Sequence, residues 1–218
     1  MLLSLSRAAL AVALLVASIL PAASQQRRSG DFDFYVLALS WSPSFCETEG
    51  GSRNRQQCAS DRDYDFVVHG LWPQYERGFP RECRTSQPRQ VSNRLARTMF
   101  DLMPSAGLIN HEWRMHGTCA GVSQEDYFDT VRAARNKVNI PQRFQGLAQE
   151  QTISASVVEA AFMKANPGLP EDGVSVSCGD GLMNEVKICL TKNLEFRTCP
   201  QLERRACNAG GLRMPPAR

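Results

Sequence analysis

The sequence predicts a single α+β domain with a central, largely antiparallel β-sheet that is flanked by helices and stabilised by disulfides. Strand-like and helix-like segments occur in separate blocks rather than in strict alternation, a pattern typical of α+β proteins. Residues 25–218 have a usual length for one domain with its own core, and they contain no internal repeat or linker. All eight cysteines lie in this part of the chain.

The first 24 residues are predicted to be a secretory signal peptide. Arg7 gives a weakly positive start, residues 8–20 are apolar, and Ala22 and Ser24 supply small residues before a cleavage site. A membrane anchor is the alternative, but the apolar run is too short to span a bilayer comfortably. We therefore expect a protein that is exported to the periplasm or the extracellular medium and that has no membrane association.

The cysteines predict four disulfides in an oxidising compartment, because their number is even in a chain with an export signal. A metal cluster is the alternative, but the sequence contains no C-x-x-C pair. Eight cysteines allow 105 pairings, and their spacing does not choose among them. They stand at positions 46, 58, 83, 119, 178, 189, 199 and 207.

Two strands are predicted before the helices. Residues 32–41 are rich in aromatic and apolar side chains, which indicates a buried strand. Residues 64–69 form a second strand-like segment, and Gly70 is expected to end it. His69 would then project from the end of a strand, which is a rigid support for chemistry.

Four helices are predicted in the middle of the chain, at residues 93–103, 108–116, 124–138 and 154–165. Ser92 and Ser123 can cap the first and third of them. Gly117 is expected to end the second as a C-terminal cap.

The C-terminal part returns to strands from Val174 onward. Residues 182–190 and 195–198 are predicted to pair as a hairpin that turns near Lys192-Asn193. The last dozen residues are predicted to be frayed.

All three histidines fall in two short segments, His69-Gly70-Leu71-Trp72-Pro73 and His111-Glu112-Trp113-Arg114-Met115-His116-Gly117-Thr118-Cys119. On a helix, Glu112 and His116 share a face because they are four residues apart. His116 also lies in the last turn, where the helix dipole favours a protonated imidazole. We therefore expect His116 to be partly charged toward neutral pH.

Two histidines in one cleft can serve as a general acid and a general base, because imidazole titrates near neutral pH. No G-x-S-x-G motif is present and no serine or cysteine stands out as a nucleophile, so we expect the substrate to supply it, as the 2′-hydroxyl of RNA can. The resulting pentacoordinate phosphorus needs donors or cations around it. Trp72 and Phe79 offer faces for stacked bases, with core packing as the alternative for each.

Two other interpretations of the histidines remain open. A zinc protease uses H-E-x-x-H, whereas the spacing here is H-E-x-x-x-H, which separates the two imidazoles around the helix. Three histidines could still bind a metal in another geometry, or they could be buried structural residues.

The two histidine segments resemble the active-site segments of the ribonuclease T2 family, the secreted acid ribonucleases. The chain looks like a bacterial-type member of that family. Residues 39–46 are similar to the family's first strand and its exit, and Gly78-Phe79-Pro80 follows the first segment at a similar distance. The C-terminal cysteine pattern is also similar. The resemblance implies an endoribonuclease that cleaves chiefly single-stranded RNA through 2′,3′-cyclic phosphates with loose base preference. It also implies that no metal or cofactor is used, and we expect a monomer.

The resemblance also implies roles for individual residues. His69 and His116 would form the acid–base pair, with His116 as the base for the 2′-hydroxyl and His69 as the acid. His111 would contact phosphate, Glu112 would help to stabilise the transition state, and Trp72 would belong to a base-binding site with Phe79 nearby. The family pattern suggests the disulfides Cys83–Cys119, Cys178–Cys207 and Cys189–Cys199, which leaves Cys46–Cys58.

Met115 departs from the family pattern, which usually has lysine immediately before the final histidine. A thioether cannot offset the charge of the transition state, and the loss of one electrostatic donor can cost about a hundredfold in rate. Arg114 is adjacent and is a candidate for substrate binding, although one residue turns it about 100° around the helix. This departure motivates a second hypothesis, a catalytically impaired member that binds RNA or a protein partner.

Overall fold

A computed structural model describes residues 28–48, 53–59, 62–203, 207 and 209–217. In this part of the chain, helices flank one sheet, which confirms the predicted α+β class. The predicted signal peptide, residues 1–24, lies outside the described residues. Within these ranges, every helix is too short or too polar to cross a membrane.

The six strands of the sheet are β1 (Phe34–Trp41), β2 (Phe66–Gln74), β3 (Gln151–Ile153), β4 (Val174–Gly179), β5 (Leu182–Leu190) and β6 (Leu212–Met214). Their order is β2-β1-β5-β6-β3, and β4 pairs with β5 beside this path. All strand pairings are antiparallel except the short one between β5 and β6, which confirms the prediction of a largely antiparallel sheet.

The described helices are α1 (Ser42–Glu47), α2 (Arg55–Cys58), α3 (Asn93–Arg97), α4 (Ala106–Met115), α5 (Gln124–Lys137), α6 (Ala155–Ala165) and α7 (Pro200–Glu203). A serine hydroxyl caps the N-terminus of each of α3 to α6, as its short side chain favours. Helix α3 ends six residues before the predicted position 103. The hydroxyl of Thr98 donates to the carbonyl of Leu95 at 2.7 Å, and the chain continues as turns.

The two faces of the central strands have different neighbours, because side chains alternate along a strand. Leu37, Leu39 and Trp41 of β1 are fully buried in the main core. The hydroxyl of Tyr127 in α5 donates to the carbonyl of Leu71 at 2.9 Å, which holds α5 on this side of the sheet. The opposite face of β1, β2 and β5 is therefore the one that is available for a site.

Strand β2 continues through Gly70 to Gln74, so the prediction that Gly70 ends the strand is wrong. Gly70 pairs with Ala38 of β1, and the strand keeps its pairing on both sides of a bulge. His69 consequently lies within a strand that is held along its length, and not at a strand end.

Two C-terminal predictions have different outcomes. The turn near Lys192-Asn193 is confirmed, because Thr191 N–H donates to Glu195 O at 2.8 Å, Arg197 N–H donates to Cys189 O at 3.1 Å, and Phe196 bridges Leu190. The longer hairpin of β5 is with β4, joined by Asp180-Gly181 with φ values of 54° and 76°, which suit a two-residue turn.

The prediction of a frayed tail is wrong. The tail is not frayed at β6, which pairs with β3, and the indole of Trp41 donates to the carbonyl of Pro215 at 3.0 Å. Burial of apolar side chains in β6 anchors the tail to the core.

The structure pairs all eight cysteines, as Cys46–Cys58, Cys83–Cys119, Cys178–Cys207 and Cys189–Cys199. These are the pairs that the family resemblance implied. Four disulfides fit a protein that folds in an oxidising compartment.

Helix α4 ends just before Gly117, as the sequence predicts, but the C-cap residue is His116 and Gly117 does not have the positive φ of a typical glycine cap. This glycine opens a 3-10 turn, Gly117–Cys119, in which glycine is needed because of close packing. A Cβ at this position would overlap the ring of Trp113 and would lie 2.9 Å from Cδ1 of Tyr127. Both rings are buried.

We predict that Gly117→Ala lowers the free energy of unfolding by about 1–3 kcal/mol, because the two buried rings must move to admit a methyl group. Gly107→Ala in α4 is the matched control, since its added Cβ would lie 3.6 Å from the nearest atom and alanine favours a helix by up to about 1 kcal/mol. Urea unfolding of the oxidised proteins measures both changes. Equal stability of the two variants would contradict this account.

Candidate active site

A β-bulge in β2 determines where the side chain of His69 points. Two consecutive residues of β1 pair with Gly70 and Val68, so His69 is an extra residue opposite β1. Leu71 faces the core, and regular alternation from it would turn His69 toward the core as well. The extra residue instead leaves His69 on the opposite face, while Val68 returns to the core. Bulges commonly redirect side chains in this way beside active sites.

Glu185 of β5 holds one nitrogen of His69. Its Oε1 contacts His69 Nδ1 in a very short hydrogen bond and also accepts from the hydroxyl of Ser40 at 3.1 Å. Its Oε2 lies 3.4 Å from the hydroxyl of Ser177 and 3.3 Å from Lys187 Nζ. With Nδ1 engaged, the second nitrogen of His69 is directed to the other side of the ring.

Glu112 lies on that other side, buried on α4. Its Oε1 is 3.6 Å from His69 Nε2, and its Oε2 accepts a hydrogen bond of 2.7 Å from the indole of Trp72. A Cβ at Gly70 would overlap both this carboxylate oxygen and the indole nitrogen. Glycine at this position therefore makes room for the bond between Trp72 and Glu112.

Trp72 is adjacent to both histidines that were predicted to act together. Its ring centroid is 5.3 Å from that of His69 and 5.4 Å from that of His116. His116 is the C-cap residue of α4, and its Nδ1 is buried with no hydrogen-bond partner among the described residues. His111 is exposed on the same helix. The structure thus brings His69, Trp72, Glu112 and His116 together, with His111 at the edge.

The two central histidines have opposite pKa shifts. Burial lowers the pKa of His116 to about 4, with further lowering by the charges of His69 and His111. Burial also acts to lower the pKa of His69, but the hydrogen bond and charge of Glu185, together with Glu112, outweigh it and raise that pKa. The expectation that His116 is partly charged near neutral pH is therefore wrong, because desolvation exceeds the effect of the helix end.

The two carboxyl groups also differ. Burial raises the pKa of Glu112 to about 7, despite the opposing charge of His69 and the bond from Trp72. Burial acts on Glu185 in the same direction, but its bond to His69 and the charges of His69 and Lys187 lower its pKa to about 2. Glu185 is therefore a permanent anion, and Glu112 is a neutral acid at mildly acidic pH.

A cavity of about 190 Å³ opens beside these groups and is lined by His116, Trp72, Gln74, Phe79 and Lys187, among others. Phe79 is 40% exposed, so core packing does not account for it. Arg114, which the sequence suggested for substrate binding, does not line this cavity. Its charge instead acts on His111, whose pKa is lowered by burial and then by Arg114 and His69.

Sequence reasoning missed Glu185 and Lys187. Their one local signal is that two charges alternate with apolar residues in the segment Asn184-Glu185-Val186-Lys187-Ile188, which places both on one face of a strand. Among the described residues, no group of three or more His, Cys, Asp and Glu side chains is arranged to hold a metal ion.

Residues 32–199 match the Ribonuclease T2 family. The chain belongs to this family. It is 35% identical over 168 residues to a ribonuclease of Aeromonas hydrophila, a match that covers 75% of this chain and 74% of that relative. It is 31% identical over 204 residues to ribonuclease I of Escherichia coli (strain K12), with 70% and 74% covered. These relatives identify an endoribonuclease, as the two histidine segments predicted.

Solved structures of similar proteins share the fold. An RNase-related protein from Calystegia sepium aligns with a TM-score of 0.69 at 22% identity over 86% of this chain and 98% of its own. RNase NT in complex with 5′-AMP aligns with a TM-score of 0.68 at 23% identity over 85% and 99%. The α+β arrangement described above is thus that of the ribonuclease T2 family.

We predict that Glu185→Gln lowers the pKa of His69 below its value in the wild-type protein, because burial then acts without the carboxylate that opposes it. NMR titration of the imidazole C–H signals measures this directly, since the chain has only three histidines. Glu76→Gln is the control, because Glu76 is exposed and pairs with Arg197 at 2.8 Å. An unchanged pKa of His69 in Glu185→Gln would refute the assigned role of this carboxylate.

Proposed function

We propose that this protein is an exported endoribonuclease that cleaves single-stranded RNA without a metal, by attack of the 2′-hydroxyl on the adjacent phosphorus. The products would carry 2′,3′-cyclic phosphate ends. The observation that carries the proposal is a pair of histidines that are both adjacent to Trp72 and whose pKa values are shifted in opposite directions. Opposed shifts of this kind separate a base from an acid in one site.

His116 acts as the base in this mechanism. Because its pKa is lowered to about 4, its imidazole is neutral across most of the acidic range and can accept the proton of the 2′-hydroxyl. His69 acts as the acid. Its raised pKa keeps it protonated to a higher pH than an ordinary imidazole, and it gives its proton to the leaving 5′-oxygen. Glu185 at Nδ1 fixes the ring so that Nε2 faces the reacting groups.

Glu112 and His111 stabilise the charge on phosphorus. Glu112 has a pKa of about 7, so below that pH it is a neutral carboxylic acid that can donate a hydrogen bond to a phosphoryl oxygen. Its position is set by the indole of Trp72. His111 is exposed on the same helix, where it can contact the phosphate as it enters.

Base binding falls to Trp72 and Phe79, which line the same cavity. Aromatic faces stack on any base, so the proposed base specificity is low. A base can enter such a cavity only when it is unstacked from its neighbours, which favours single-stranded RNA. All the groups named come from one chain, in keeping with a monomer.

The decisive experiment incubates the purified mature protein with single-stranded RNA in EDTA and identifies the ends of the products. We expect cleavage with 2′,3′-cyclic phosphate ends. His69→Ala and His116→Ala, purified in the same way, should each lose about 10²- to 10⁴-fold in rate, which excludes a contaminating nuclease. Intact RNA, or cleavage that depends on added metal, would sink the proposal.

The pH dependence of kcat/KM follows from the two histidines of the free enzyme. The base must be neutral, so the rate should rise as the pH passes about 4, the pKa of His116. The acid must be protonated, so the rate should fall above about pH 6.5, the ordinary histidine value, as the pH passes the raised pKa of His69. A rate that still increases above about pH 9 would contradict this scheme.

A further inference from the structure

Cations as well as hydrogen-bond donors stabilise the negative charge that develops during the proposed reaction, and α4 places no lysine or arginine in the cavity lining. Met115 precedes His116 with a neutral thioether, and its carbonyl accepts the N–H of Glu82 at 2.9 Å. Arg114 lies outside the cavity lining. Building on the proposed function, we infer that Lys187 of β5 is a catalytic residue that contacts the phosphate and offsets the negative charge of the pentacoordinate phosphorus.

The sheet places Lys187 in the same cross-strand row as Gly70. Ala38 of β1 pairs with Gly70 on one side and with Lys187 on the other. Adjacent strands lie about 4.8 Å apart, so the Cα atoms of Gly70 and Lys187 are separated by roughly two such spacings. The residue between them is small, and the long stem of a lysine side chain can extend over it. Lys187 therefore lies on the same face of the sheet as Glu185, and its Nζ is 3.3 Å from the carboxylate that also holds His69.

Distances to the site residues agree with this placement. Lys187 Nζ lies 5.8 Å from the centroid of Trp72, and the rings of both histidines lie at similar distances from the same indole. Lys187 lines the cavity together with His116. It is partly exposed, with a relative side-chain accessibility of 23%, so an entering phosphate can contact it.

The ion pair with Glu185 does not cancel the charge of Lys187. Glu185 binds both His69 and Lys187, so one carboxylate is shared by two cations when His69 is protonated. The group as a whole then carries one positive charge. A phosphate that enters the cavity meets this net charge, and the attraction increases as negative charge develops in the transition state.

Other described cations near β5 are engaged elsewhere. Lys192 Nζ lies 4.3 Å from the centroid of Phe32, and Arg197 pairs with Glu76 and lies over Phe34. Neither residue lines the cavity. Lys192 therefore serves as a control for a general loss of positive charge, which alone weakens the attraction of RNA.

The first experiment measures kcat and KM on dinucleotide substrates that differ in the base on the 5′ side of the cleaved bond. Lys187→Met removes the charge but keeps an apolar stem, and it should lower kcat by about a hundredfold with every base. Lys187→Arg should retain most of the rate, and Lys192→Gln should stay close to wild type. Because the attraction to the phosphate is strongest in the transition state, the fold-loss in kcat should exceed the fold-change in KM.

The second experiment exchanges the two side chains in Met115→Lys/Lys187→Met, which keeps composition and net charge. If Lys187 supplies the required cation, the exchanged protein should recover to within about tenfold of wild type. Met115→Lys alone should change the rate by only about threefold or less, because the charge is already present. The unfolding midpoint of Lys187→Met shows whether that variant folds. If it does not fold, Met115→Lys alone still tests the inference.

The outcomes separate the possible failures. Wild-type protein that yields no cyclic phosphate ends overturns the proposed function. Wild-type cleavage with undiminished kcat in Lys187→Met overturns only the role of Lys187. A loss confined to one base means that the ammonium group contacts the base and not the phosphate, which also overturns it. A large gain in Met115→Lys alone means that the native protein lacks the cation, as an impaired family member would.

Lys187 could also raise the rate indirectly, by orienting Glu185 and through it His69. A double variant distinguishes this indirect role from a direct contact with the phosphate. If Lys187 only orients Glu185, Glu185→Gln/Lys187→Met should be no slower than Glu185→Gln alone. If Lys187 contacts the phosphate, its removal should cost a further factor of about ten or more, because the two contributions are then separate. Equal rates for the single and double variants would reduce Lys187 to a positioning residue.

Discussion

The contact between His69 and Glu185 is the interaction on which the rest of the site depends, and a β-bulge makes it possible. A regular strand would turn His69 toward the apolar core, where a charged imidazole would be costly. The extra residue brings the ring to the face that carries Glu185, Trp72 and Gly70. Gly70 then leaves space for Glu112 to approach the second nitrogen. One local irregularity thus gives His69 a carboxyl group on each side.

Unequal partners, rather than unequal burial, give the two histidines the opposite pKa shifts on which the proposed acid and base roles rest. Desolvation lowers the pKa of both rings. Only His69 has an ionised carboxylate in contact, and that carboxylate is stabilised by hydroxyls from β1 and β4 as well as by Lys187. His116 has no such partner among the described residues, and the positive charge of His69 lowers its pKa further. Protonation of His69 therefore helps to keep His116 neutral.

The sequence predicts those parts of the site that depend on local pattern. The Ser123 cap located the start of α5, the glycine after His116 located the end of α4 to within a residue, and the clustered histidines located His69, Glu112 and His116. It could not predict Glu185, because 116 residues separate it from His69 and only the pairing of β1 with β5 brings them together. The bulge was missed for a related reason. A glycine in a short strand-like segment indicates a strand end as readily as a close approach to another element, and only α4 reveals which applies.

The position of the positive charge, at residue 115 of α4 or at Lys187 of β5, affects the proposed base His116 as well as the phosphate. A lysine at position 115 would lie next to His116 in the chain, and its charge would further destabilise a protonated base after proton transfer. A lysine on β5 is instead adjacent to Glu185, which moderates its field, and it acts from the side of the acid. The sheet can therefore supply electrostatic stabilisation at the phosphorus with less cost to the imidazolium that forms on His116. Met115 is compatible with an active enzyme for this reason. A neutral residue beside His116 removes one source of repulsion, while Lys187 on β5 supplies the positive charge.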